Sequence, residues 1–105
     1  MHEDEWVLPE RKKLLDAVAD WLKDSNRGRI RHLPEFFSNA QRAGNVVVGM
    51  SKRQVVDTKD QAYPIGFDRV RIDSNVYDGW HFPNGSAFFF ENDLLFKKLP
   101  PVLKQ

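Results

Sequence analysis

Residues 80–92 read WHFPNGSAFFFEN. Pro83-Asn84-Gly85 between two apolar runs is a hairpin signal: Pro83 presets the first turn position and Gly85 tolerates positive φ. A three-residue loop pairs Phe82 with Ser86, Trp80 with Phe88 and Asp78 with Phe90. Side chains alternate across a strand, so Trp80, Phe82, Phe88 and Phe90 share one face, and Tyr77, His81, Ala87 and Phe89 share the other. A two-residue Asn-Gly loop would slip the register by one and move Phe89 to the Trp80 face. Pro83 favours the longer loop, because proline fits a turn better than a ladder.

Either register puts aromatic rings on both faces of the hairpin, and both faces need cover. Downstream, Asn92 offers a cap for a short helix through Asp93, Leu94, Leu95 and Phe96, stopped by Pro100-Pro101 and folded back over Phe89. Upstream, FDRVRID at 67–73 alternates, with Val70 and Ile72 on a dry side and Arg69 and Arg71 on a wet one, the pattern of a half-buried strand.

The N-terminal part reads as helical. PERKKLLDAVADWLKD (9–24) opens with Pro9 and Glu10 and places Leu14, Leu15, Val18, Trp21 and Leu22 at helical spacing. A second helix over 34–43 starts at Pro34-Glu35, buries Phe36, Phe37 and Ala40, and stops at Gly44. NVVVGM at 45–50 has strand composition. SKRQVVDTKD at 51–60 leaves two readings. In one, Val55 and Val56 form the second arm of a hairpin with 45–50. In the other, Ser51 caps a short helix carrying Lys52, Arg53, Gln54 and Lys59 outward, so that GMSKRQVV resembles the turn and recognition helix of a helix-turn-helix. The Val46-Val47-Val48 triple favours the hairpin.

The expected fold is α+β in one domain over 1–105: two N-terminal helices, an antiparallel sheet of three to five strands ending in the aromatic hairpin, and a short C-terminal helix. Residues 1–6 are expected to fray and 99–105 to trail as an extended tail. A winged-helix-like variant, with 76–91 as the wing, also fits; against it, the tip Pro83-Asn84-Gly85 is neutral. The 105 residues suffice for one modest core, and 41 % apolar with 30 % charged is a globular balance.

Cysteine is absent. This excludes disulfides, a cysteine nucleophile and thiolate zinc sites, and suits a cytoplasmic protein. No run is apolar for long enough to span a membrane, and MHEDEWVLPE lacks a secretory pattern, so no membrane partner is expected. HExxH, P-loop, GxGxxG and GxSxG patterns are missing. The expectation is therefore a protein that is not an enzyme and holds neither metal nor cofactor.

Net charge is only +1, yet residues 23–53 carry seven basic and two acidic groups between acidic flanks. Arg27, Arg29 and Arg31 alternate, as do Arg69 and Arg71; Arg42, Lys52 and Arg53 complete the set. Such a patch attracts phosphate backbones. The leading expectation is a small accessory protein that binds nucleic acid, DNA foremost, through these eight side chains. A second is a protein-binding module or inhibitor that meets an acidic protein surface through Trp80, Phe82 and Phe89. A third, a small ribonuclease-like toxin, would set His32 as general base among Arg29, Arg31, Arg69 and Arg71.

Overall fold

The computed structural model describes residues 9–25 and 33–101. Three helices, α1 (Pro9–Lys23), α2 (Pro34–Ala43) and α3 (Lys52–Val56), precede four strands, β1 (Gly66–Ile72), β2 (Asn75–His81), β3 (Ala87–Glu91) and β4 (Leu94–Leu99). The strands form one antiparallel sheet in the order β1-β2-β3-β4. The α+β expectation and its strand count hold.

The aromatic hairpin takes the three-residue loop. Phe82 N–H donates to Ser86 C=O, and Trp80 pairs with Phe88 and Asp78 with Phe90. Gly85 adopts φ +88°, a conformation that costs glycine nothing. Asn84 Oδ1 accepts from both the backbone N–H and the hydroxyl of Ser86, which locks the turn. As β2 and β3 this hairpin lies at the centre of the sheet, so it is not a projecting wing and the winged-helix variant does not apply.

Both faces of the hairpin are core. On one, Tyr77, Ala87, Phe89 and Phe96 pack against Leu14, Ala17 and Val18 of α1, with Trp21, Val70, Ile72 and Leu99 at the margin. On the other, Phe90 and Leu95 pack against Ala40, Val46, Met50 and Val55, flanked by Phe37, Val47, Trp80 and Phe88. The sheet is the middle layer between α1 and the α2–α3 unit. Each fully buried phenylalanine contributes about 1.5–3 kcal/mol to this sandwich.

Three expectations are corrected. The first is the C-terminal helix, which is instead β4. Asn92 and Asp93 both have positive φ, +48° and +83°, and close a two-residue turn that continues the sheet. The Asn92 carboxamide does not cap a helix; its Oδ1 accepts from Val76 N–H and its Nδ2 donates to Asn75. Leu95 and Phe96 are then buried in opposite clusters across a register shift opposite Phe89 and Phe90.

The second correction concerns 51–60, where α3 replaces the favoured hairpin. Ser51 and Gln54 form a reciprocal capping box: Ser51 Oγ accepts from Gln54 N–H and Gln54 Oε1 accepts from Ser51 N–H. Residues 45–50 are irregular despite their β-branched run. Their C-terminal end lies along β4, with Gly49 N–H donating to Leu95 C=O and Leu95 N–H to Met50 C=O. The third concerns Phe36, which is exposed, so Ala40 and Phe37 carry the inner side of α2. Gly44 ends α2 as expected, at φ +80°, with the paired carbonyl bonds of a Schellman cap.

Candidate nucleic-acid interface

Strand β1 is an edge strand, and its alternation decides the surface. Val70 and Ile72 face α1, so Phe67, Arg69 and Arg71 face the α2–α3 side. The helices there cover β3 and β4 but leave the row on β1 open. Phe67 is 70 % exposed, and its ring stands edge-on to Trp80 at 6.1 Å between centroids. Trp80 is half-buried and leans on Phe90 at 4.7 Å. Behind Phe67, Tyr63 and Ile65 are also exposed on the approach to β1.

Beside this aromatic step lies a cationic row anchored on one carboxylate. Asp78, opposite Arg69 on β2, is buried; it accepts from Lys52 Nζ at 2.6 Å and from Arg69 Nε at 2.6 Å. Burial alone would raise its pKa. The hydrogen bonds and charges of Arg69 and Lys52 outweigh that and hold it below the ordinary carboxylate range. Lys52 also stands over the Phe90 ring at 5.8 Å. Asp78 thus orients two cations, while the Arg69 side chain stays 66 % exposed. Arg71, next along the row, is exposed and has no ion pair among the described residues.

The free edge of β1 is guarded on the α1 side. Arg11 holds Asp68 through two bonds of 2.6 and 2.8 Å, and its Nη2 also reaches the Arg69 carbonyl at 3.5 Å. Asp68 Oδ1 accepts from Arg69 N–H. The Arg11 hydrogen bond leads the causes that lower the Asp68 pKa. These side chains occupy backbone groups that would otherwise invite a further strand.

The structure gathers only part of the set read from sequence. Lys52, Arg69 and Arg71 come together. Arg53 is exposed and paired with Asp57 at 3.2 Å one turn on. Arg42 donates to Asn39 and lines, with Lys59, a separate shallow groove. Arg27, Arg29, Arg31 and His32 lie outside the described residues. Of the aromatic set, Phe89 is 0 % and Phe82 6 % exposed, so both belong to the core and neither is offered to a partner; Trp80 alone borders the surface. His81 is buried at a cleft of about 460 Å³ that Arg11, Asp68 and Ser86 also line.

Sequence reading missed Phe67. The signal was present: in FDRVRID it has the parity of Arg69 and Arg71, and a large ring on a wet face needs a reason.

No family model, curated protein or solved structure matches the chain. Among the described residues no helix is long and apolar enough to cross a membrane, and no cluster of His, Cys, Asp and Glu is placed to hold a metal ion.

Proposed function

We propose that this chain is a small non-enzymatic nucleic-acid-binding protein whose described interface is the open half of the sheet, over β1 and β2. One observation carries the reading: the Phe67–Trp80 step stands beside Lys52, Arg69 and Arg71 on a single face. Exposed arginines beside solvent-facing aromatic rings combine the two attractions that nucleic acids offer, phosphate charge and base π-faces. Arg53 lies next to Lys52 on α3, and Arg27, Arg29 and Arg31 would add to the same electrostatic attraction. The lack of cysteine fits action in a reducing cytoplasm.

The test is a titration of the full chain against labelled nucleic acid over a range of salt. Binding that weakens steeply with salt is expected, because each neutralised phosphate releases counterions. No binding at low salt would remove this reading, and the ribonuclease-like one with it. A second reading, a protein-binding module, is favoured by the exposed run Tyr63, Ile65 and Phe67 leading into an edge strand. On that reading, the same three side chains would dock a partner and nucleic acid would be ignored.

A further inference from the structure

We infer that the ligand of this face is single-stranded nucleic acid, with a base stacked on Phe67 and the backbone following Arg69 and Arg71. The inference rests on the nucleic-acid reading above and adds the form of the polymer.

Three features choose the single strand over the duplex. The first is Phe67. The residue is 70 % exposed and its ring meets Trp80 in an edge-on contact. In a duplex the base π-faces are already stacked, so such a ring finds a partner only on an unstacked base. The second is the shortness, among the described residues, of the helix that resembles a recognition helix. Many duplex readers of this size insert a helix into the major groove. Here α3, the element resembling a recognition helix, spans only Lys52–Val56, and its first cation is turned down onto Asp78. The third is the layout of the cations. Arg69 and Arg71 lie two residues apart on one strand, roughly 7 Å along it, and continue the line that Phe67 begins. Asp78 holds Arg69 through Nε at 2.6 Å and Nη2 at 3.5 Å, which leaves Nη1 for a phosphate. Within this group Lys52, Arg69 and Arg71 stand against the single carboxylate of Asp78. A ring at the head of a line of positive charge matches a strand that stacks one base and carries its phosphates onward along β1.

The experiment is fluorescence anisotropy with labelled single-stranded oligo-dT and oligo-rU, and with a mixed-sequence DNA presented single-stranded and as its duplex. The full chain is expected to bind single strands at least ten-fold more tightly than the duplex. Phe67→Ala should weaken single-strand binding roughly five- to hundred-fold, the loss of one stacked base. Phe67→Tyr, which keeps the π-face, should retain the affinity. Arg71→Ala should weaken binding and lower the salt slope by about one. The melting temperature of each variant, expected to be unchanged, separates lost contact from lost fold. A preference for dT or for rU supports the inference equally and identifies the sugar. Duplex binding as tight as single-strand binding, or unchanged affinity in Phe67→Ala, overturns the inference and leaves the nucleic-acid reading standing. Silence toward every oligonucleotide at low salt overturns both.

Discussion

Two phenylalanines show how one residue type serves opposite ends. Phe89 and Phe67 both lie on strands of the same sheet, yet Phe89 is fully buried under α1 and Phe67 is 70 % exposed. Replacing Phe89 by alanine removes a ring from a packed cluster that includes Tyr77 and Phe96, and the cavity left adds to the lost transfer energy. Phe89→Ala is expected to cost about 3–5 kcal/mol. Phe67→Ala empties no cavity and should change stability by no more than about 0.5 kcal/mol. Urea unfolding of the two variants checks this. Similar midpoints for both would mean that the sheet does not have the covered and open halves described here. The comparison also bears on function, since only a residue that can be removed without unfolding the chain gives a clean binding test.

Among the elements, the β3–β4 turn sets two adjacent non-glycine residues at positive φ. Asn92 and Asp93 both occupy the left-handed region, as a two-residue hairpin of the favoured twist requires. Asparagine accepts this conformation readily and aspartate less so, while glycine at the second position is unstrained. Asp93→Gly should therefore stabilise the protein by up to about 1 kcal/mol, read as a rise in the unfolding midpoint. The Asp93 carbonyl that accepts from Lys52 N–H is backbone and survives the change. A loss of stability would argue that the Asp93 side chain has a role in the turn. The same turn explains why 93–96 is not helical: once Asn92 is spent on Val76 and Asn75, the next residues enter the sheet already in register with β3.

At the scale of the molecule, two ion-pair sets tie the layers to β1 and β2. Arg11–Asp68 joins α1 to β1 on one side, and Lys52–Asp78–Arg69 joins α3 to β2 and β1 on the other. Both carboxylates are held below their ordinary pKa. A carboxylate whose folded pKa is depressed binds fewer protons folded than unfolded. Its contribution is fully present above the unfolded value of about 3.9, and is lost as pH falls through the folded value. Stability should therefore fall as the pH is lowered below about 4, and that acid limb should flatten in Asp68→Asn or Asp78→Asn. Denaturant midpoints between about pH 2 and 7 test it. A variant retaining the full acid limb would show that its carboxylate carries no linked stability. The part-exposed partners keep each effect modest, because solvent screens them.

Much of the architecture was legible in the sequence because it is encoded locally. Pro83-Asn84-Gly85 specifies its own loop, and that loop sets the register of Trp80 against Phe88. The alternation of Val70 and Ile72 with Arg69 and Arg71 marks a strand without reference to its neighbours. Pro34 and Gly44 bracket α2. Ser51-Lys52-Arg53-Gln54 also carries its capping box locally, beside a valine run of strand composition. Only the tertiary structure decided which cations remain available and which rings are covered. Lys52 and Asp78 are 26 residues apart, and Arg11 and Asp68 are 57 apart. No short window shows that Asp78 claims Lys52 and Arg69 together, or that α1 and the α2–α3 unit cover opposite faces of one hairpin. Turn chemistry and strand alternation are short-range and survive in any context. Burial and charge pairing depend on which distant segment arrives, and here they made the aromatic hairpin a core and left Phe67, in an edge strand, facing solvent.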